Sequence, residues 1–133
     1  MNQIQGKYID NLRCEMVHPS STVIRTDAPK DNRGEGKFFS PTDLVAAALG
    51  SCMLTIIGIR ARDKGINIGN PDFEIVKHMQ SNPRKISKIE VKIKFFSELN
   101  EDERAYLENE GRKCPVALSI SEEIEQDISF EYA

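Results

Sequence analysis

The sequence predicts an α+β fold built on antiparallel sheet, and three observations predict it. Strand-like segments cluster in two regions, residues 3–26 and 73–96, with only short turns inside each cluster. One long apolar helix separates them. No regular alternation of strand and helix runs along the chain, so the pattern that builds a parallel sheet is missing. A single domain covering residues 1–133 is expected, because this is the length of one ordinary domain and 39% hydrophobic residues suffice for one core.

In the first cluster an extended start leads to residues 12–17, a break at His18-Pro19-Ser20-Ser21, and residues 22–26, which read together as a small antiparallel meander. Residues 27–36 concentrate Pro, Gly, Asn and Asp and read as a surface loop. Ser40-Pro41-Thr42-Asp43 is then a helix start: Ser as N-cap, Pro where its missing N–H costs nothing, and Asp three residues after the cap. The helix should run to about Lys64, with Gly65 as its left-handed cap and Arg60, Arg62 and Lys64 at the negative end of its dipole. Ala46-Ala47-Ala48 and Gly50-Ser51 in its middle leave room for a close neighbour, and helix-on-helix contact is expected.

Strands return at 73–80 and 86–96. In the second, Ile89, Val91, Ile93 and Phe95 alternate with Lys88, Glu90, Lys92 and Lys94, so one face is wet and one buried. Ser81-Asn82-Pro83-Arg84 is a turn that pairs these two antiparallel. Asn100-Glu101-Asp102-Glu103 opens a second capped helix, expected to stop near Gly111. A third should begin at Cys114-Pro115 and carry Ile120 and Ile124 on one apolar face, before a last strand with Ile128, Phe130 and Tyr132 alternating.

Charge narrows the function. Eighteen basic residues are dispersed among twenty-one acidic ones for a net charge of −3, which argues against nucleic acid as a partner. Residues 1–7 lack the features of a secretory signal, and three widely spaced cysteines make neither a disulfide framework nor a zinc pattern, so a cytoplasmic protein with reduced thiols is expected. The sixteen residues 44–59 fall short of the roughly 18–20 that a spanning helix needs, and a core helix buried on most sides is the better reading, with no membrane partner.

Cys52 sits about three turns into the long helix on a stripe with Ala48, Ile56 and Ile59, and on spacing alone it reads as an inert core cysteine. Cys114 precedes Pro115 at a helix start and follows Arg112-Lys113, a setting that favours a thiolate, although a simple cap fits as well. Cys14 lies in a strand with no such features. His18 and His78 are not placed by sequence near Cys52, and Phe38 and Phe39 read as core or as the wall of an apolar pocket.

Residues 40–53, Ser-Pro-Thr-Asp-Leu-Val-Ala-Ala-Ala-Leu-Gly-Ser-Cys-Met, followed about sixty residues later by Cys114-Pro115-Val116, resemble the two cysteine motifs of the OsmC/Ohr family. The likeness in element order extends over the whole chain. The resemblance implies an intertwined homodimer in which antiparallel sheets wrap two long central helices and active sites lie at the subunit interface. It implies a thiol peroxidase for organic hydroperoxides, serving oxidative stress defence. Cys52 would become a sulfenic acid, Cys114 would condense with it to a disulfide, and an external thiol or dithiol would reduce that bond, with no metal, haem or flavin.

A cysteine ten residues beyond a helix start gains little from the macrodipole, so Cys52 needs a cation or donor from elsewhere to ionise at neutral pH. The resemblance implies that peroxidases of this family use an Arg from the N-terminal segment and a Glu directly after the helix-start Pro. This chain has Thr42 at the Glu position and no clear match to the Arg. Asp43 stands one residue along but is explained by capping, and Arg13, Arg25 and Arg33 are the cations on offer. A second reading follows: a dimeric protein that binds a small apolar ligand and keeps the family fold with little catalysis.

Overall fold

The computed structural model describes residues 3–133; Met1 and Asn2, which begin the stretch read as lacking an export signal, lie outside the described residues. The chain forms two compact units, one extending to Val45 and the other Ala46–Ala133.

The first unit is the expected meander: β1 (Gln5–Asp10), β2 (Arg13–Val17) and β3 (Val23–Asp27), in that order and antiparallel throughout. Asn11 and Leu12 take positive φ to make the first turn, and the His18 N–H bonds the Thr22 carbonyl at 2.8 Å across the second. The loop after β3 is tied back by Asp27. Its carboxylate accepts the Lys37 N–H at 3.0 Å and meets Arg13 at 3.4 Å, and these two partners hold its pKa below the ordinary carboxylate value. Among the described residues this unit buries Thr26, Asp27 and Ser40, and no hydrophobic side chain.

The second unit holds the core. Helix α1 (Pro41–Asp63) enters it from the first unit. Its start is the expected reciprocal cap: the Ser40 Oγ accepts the Asp43 N–H at 3.0 Å while the Asp43 carboxylate accepts the Ser40 N–H at 2.9 Å. Its end is the glycine cap, with Gly65 at φ +68, the Ile66 N–H on the Ala61 carbonyl and the Gly65 N–H on that of Arg62.

Strands β4 (Asp72–Gln80) and β5 (Lys85–Phe95) pair antiparallel, and β5 buries Ile86, Ile89, Val91, Ile93 and Phe95 on one face. Each such side chain contributes about 1.5–3 kcal/mol on burial. Gly50 is why the sheet can lie so close to α1: a Cβ there would sit 2.6 Å from Ile75 Cδ1 and 2.8 Å from the Phe73 ring. Helix α2 (Glu101–Arg112) carries the predicted capping box between Asn100 and Glu103.

Three expectations need correction. Strand β6 (Glu125–Tyr132) pairs with β5 in parallel, so the second sheet is mixed. The connection from β5 runs through two helices, long enough to return the chain to the same end of the sheet, as a parallel pair requires. Helix α3 (Pro115–Ser119) spans only five residues, and Ile120 and Ile124 lie beyond it; the Ser119 hydroxyl turns back onto the Pro115 carbonyl at 2.7 Å and Ile120 is extended. Helix α2 ends at Arg112, beside Gly111 as expected, and buries that glycine. Helix α1 is 23 residues, long and apolar enough by length and composition to cross a membrane, yet it is not buried on most sides: 33% of its most apolar window is buried. Leu49, Met53, Ile57 and Ala61 face the core, whereas Val45, Ser51, Thr55 and Ile59 are exposed.

Candidate thiol site

Cys52 and Cys114 meet inside the second unit. Cys52 lies on α1 between the buried stripe and the open face, and is half-buried. Cys114 is the N-cap of α3, has 0% exposure, and belongs to the core cluster against which Cys52 packs. The two thiols are close enough for Cys52 to bear on the titration of Cys114. A separation of about sixty residues in sequence is thus closed by packing the end of α2 against α1.

The environment of Cys114 differs from the one its sequence context suggests. Burial pushes its thiol pKa up, and the neighbouring Cys52 side chain adds to the rise. The Ala117 N–H, donating to the sulfur at 3.4 Å, acts the other way but does not prevail. The two cations that precede it in sequence are occupied elsewhere: Lys113 binds Glu110 at 3.0 Å, and Arg112 lies over the Phe130 ring, 5.3 Å from its centroid. Cys114 is a cap and a protonated thiol, not a poised thiolate.

The other residues singled out in the sequence fall as follows. Arg13 is held by Asp27 and by Glu35 at 2.8 Å, with its guanidinium 5.4 Å from the Phe38 ring centre, and Arg25 pairs with Glu15 at 3.0 Å. Arg33 caps a single 3-10 turn in the left-handed conformation. Phe38 and Phe39 are 39% and 57% exposed, so neither is core. Thr42 bonds the Ser40 hydroxyl at 3.2 Å, and Asp43 serves the helix cap as its sequence position indicated. His18 bonds Ser20 in its turn, while His78 pairs across the sheet with Glu90. Cys14 is a half-buried strand residue opposite Thr26.

Sequence reasoning missed the residues that hold the two helices together beside the thiols. Arg60 on α1 donates to Glu110 on α2 at 2.9 Å. Gly111 receives the Ile57 side chain where a Cβ would stand 2.8 Å from Ile57 Cδ1. A glycine at the penultimate position of the helix was the available sign of this close approach.

Residues 34–129 match the OsmC-like protein family. No curated protein gives a significant match. Among solved structures, a proposed osmotic stress induced and detoxification response protein from Psychrobacter arcticus 273-4 is 42% identical, with a TM-score of 0.94 over 98% of this chain and 96% of that one. An OsmC-like protein from Mycoplasma pneumoniae shares the fold at 17% identity, with a TM-score of 0.83 over 100% of this chain and 97% of that one. The organic hydroperoxide resistance protein OsmC of Legionella pneumophila shares it at 19% identity, with a TM-score of 0.75 over 98% and 96%. A family match across most of the sequence, and a relative this similar along nearly its whole length, lead to one conclusion: the chain belongs to the OsmC-like protein family.

Proposed function

We propose that the protein is a thiol peroxidase that reduces organic hydroperoxides, with Cys52 as the peroxide-reacting residue and Cys114 as the resolving one. The contact between these two thiols is the observation that carries the reading. In the first step the Cys52 thiolate attacks the terminal peroxide oxygen and the O–O bond breaks. The alkoxide leaves as an alcohol after taking a proton, and Cys52 becomes a sulfenic acid. In the second step the Cys114 sulfur attacks the Cys52 sulfur, and the departing hydroxide leaves as water with the Cys114 proton. An external thiol or dithiol then reduces the disulfide by exchange, restoring both thiols.

The division of labour follows from burial. Cys52 is the more accessible sulfur, whereas Cys114 is enclosed and protonated, suited to act on a neighbour that has already been oxidised. Assembly as a homodimer belongs to the same proposal. Among the described residues the first unit exposes Tyr8, Leu12, Val23 and Ile24 at 45–62% and buries no hydrophobic side chain, and α1 leaves one apolar side open, surfaces that a second copy would cover. A cytoplasmic location suits thiols that must be returned to the reduced state.

One observation favours the second reading, a small-ligand binder with weak catalysis. The acid nearest the helix start, Asp43, is committed to the cap, and Thr42 offers no charge. Turnover separates the two. With a dithiol as reductant, the wild type should consume cumene hydroperoxide faster than hydrogen peroxide and Cys52→Ser should consume neither, whereas Cys114→Ser given peroxide without the dithiol should stop after one turnover with a sulfenic acid at Cys52. Full activity in Cys52→Ser would reject the assignment. Binding of an apolar ligand without peroxide consumption in the wild type would favour the second reading.

A further inference from the structure

Three contacts run in order along the facing sides of α1 and the α2 tail. Arg60 meets Glu110 at 2.9 Å, Ile57 presses on Gly111, and Cys52 neighbours Cys114. Residue numbers fall along one helix as they rise along the other, so the segments pack antiparallel and share one register. The Glu110 carboxylate also takes Lys113 at 3.0 Å, so a single group holds a cation from α1 and the cation next to Cys114. Both partners hold its pKa below the ordinary value, Lys113 the more strongly, so the carboxylate is charged at neutral pH. At Gly111 the fit is tight: a Cβ would lie 2.8 Å from Ile57 Cδ1 and 3.0 Å from Cγ1, distances that force the helices apart or Ile57 aside.

We propose that Glu110 and Gly111 are positioning residues that set the register of the α2 tail on α1 and thereby hold Cys114 within bonding range of Cys52. The proposal rests on the Cys52–Cys114 pairing argued above. Glu110 fixes the tail along the helix axis through Arg60, and Gly111 fixes its distance. Bond formation between two thiols depends steeply on how well they are pre-placed, and displacement by about 1 Å can lower the effective concentration of one for the other about a hundredfold.

The test is the thiol–disulfide equilibrium of the Cys52–Cys114 pair in glutathione buffers, which needs no peroxide. Glutathione disulfide accepts two electrons from the protein dithiol, yielding the protein disulfide and two glutathione thiols. Gly111→Ala should lower the equilibrium constant for the protein disulfide about tenfold, about 30 mV, and adding Ile57→Val, which removes the obstructing Cδ1, should recover most of it. Glu110→Gln should lower it about threefold, and the exchange Arg60→Glu with Glu110→Arg should restore it. Thermal melting identifies the folded variants, and Glu110→Asp, which keeps the charge on a shorter arm, should give an intermediate constant. Wild-type constants in folded Gly111→Ala and Glu110→Gln overturn the proposal, as does a loss that neither second substitution recovers. A wild type that forms no Cys52–Cys114 disulfide would instead remove the pairing itself, an outcome distinct from failure of the positioning role.

Discussion

Cys114 has a proton held in place by burial, and this has consequences that can be measured at one atom. Alkylation with iodoacetamide should modify Cys52 before Cys114, because the second sulfur has no exposed surface and resists ionisation. Stability should respond to pH with a defined sign. The folded state keeps the Cys114 proton after the unfolded chain has released it, so this contribution is complete below the ordinary thiol value of 9.0 and is lost as pH rises through the higher folded value. Urea titrations should show a decline above pH 9.0 in the wild type that Cys114→Ala lacks. The comparison belongs below the ordinary tyrosine value of 10.0, because Tyr132 is also pushed up by burial and by its bond to Glu108, with the same sign. Both cysteines were legible in the sequence through their motifs, whereas the protonation of Cys114 was not. Helix starts and adjacent cations argue for a thiolate, but Lys113 is spent on Glu110, and desolvation, a property of the whole core, decides the direction.

At the scale of elements, caps set most of the boundaries, and local chemistry makes them readable. The Ser40–Asp43 and Asn100–Glu103 boxes and the Gly65 cap each act within a few residues, so the sequence states them directly. Asn100→Ala should cost about 1 kcal/mol of folding stability in urea titration. Leu107→Ala, at a position with 0% exposure, should cost about 2–5 kcal/mol, which the same titration would register. Elements whose limits depend on distant partners were harder to read. Helix α3 ends where Ser119 bonds back to the Pro115 carbonyl, and β6 takes its parallel direction from the path of two intervening helices. Alternation in Ile128, Phe130 and Tyr132 reveals a strand but carries no information about which neighbour it joins or in which sense.

On the scale of the molecule, exposed apolar area is the main unsolved quantity of a single chain. The first unit buries no hydrophobic residue among those described, and a small sheet of this kind has no driving force for folding on its own. Sedimentation at micromolar concentration should therefore give a dimer, and a monomer with the same secondary structure would count against the proposed assembly. The half-exposed flank of α1 explains why its composition invites a core or membrane reading: an apolar helix face left open looks in sequence like one reserved for the core. The proposed peroxidase cycle depends on Cys52 and Cys114 acting as one redox unit. The most direct measurement is to treat the fully reduced protein with one equivalent of cumene hydroperoxide, quench, and map cysteine linkages by peptide mass spectrometry. A single intramolecular Cys52–Cys114 disulfide, with Cys14 still free, is the predicted result; consumed peroxide with both thiols unjoined, or a bond that uses Cys14, would contradict it.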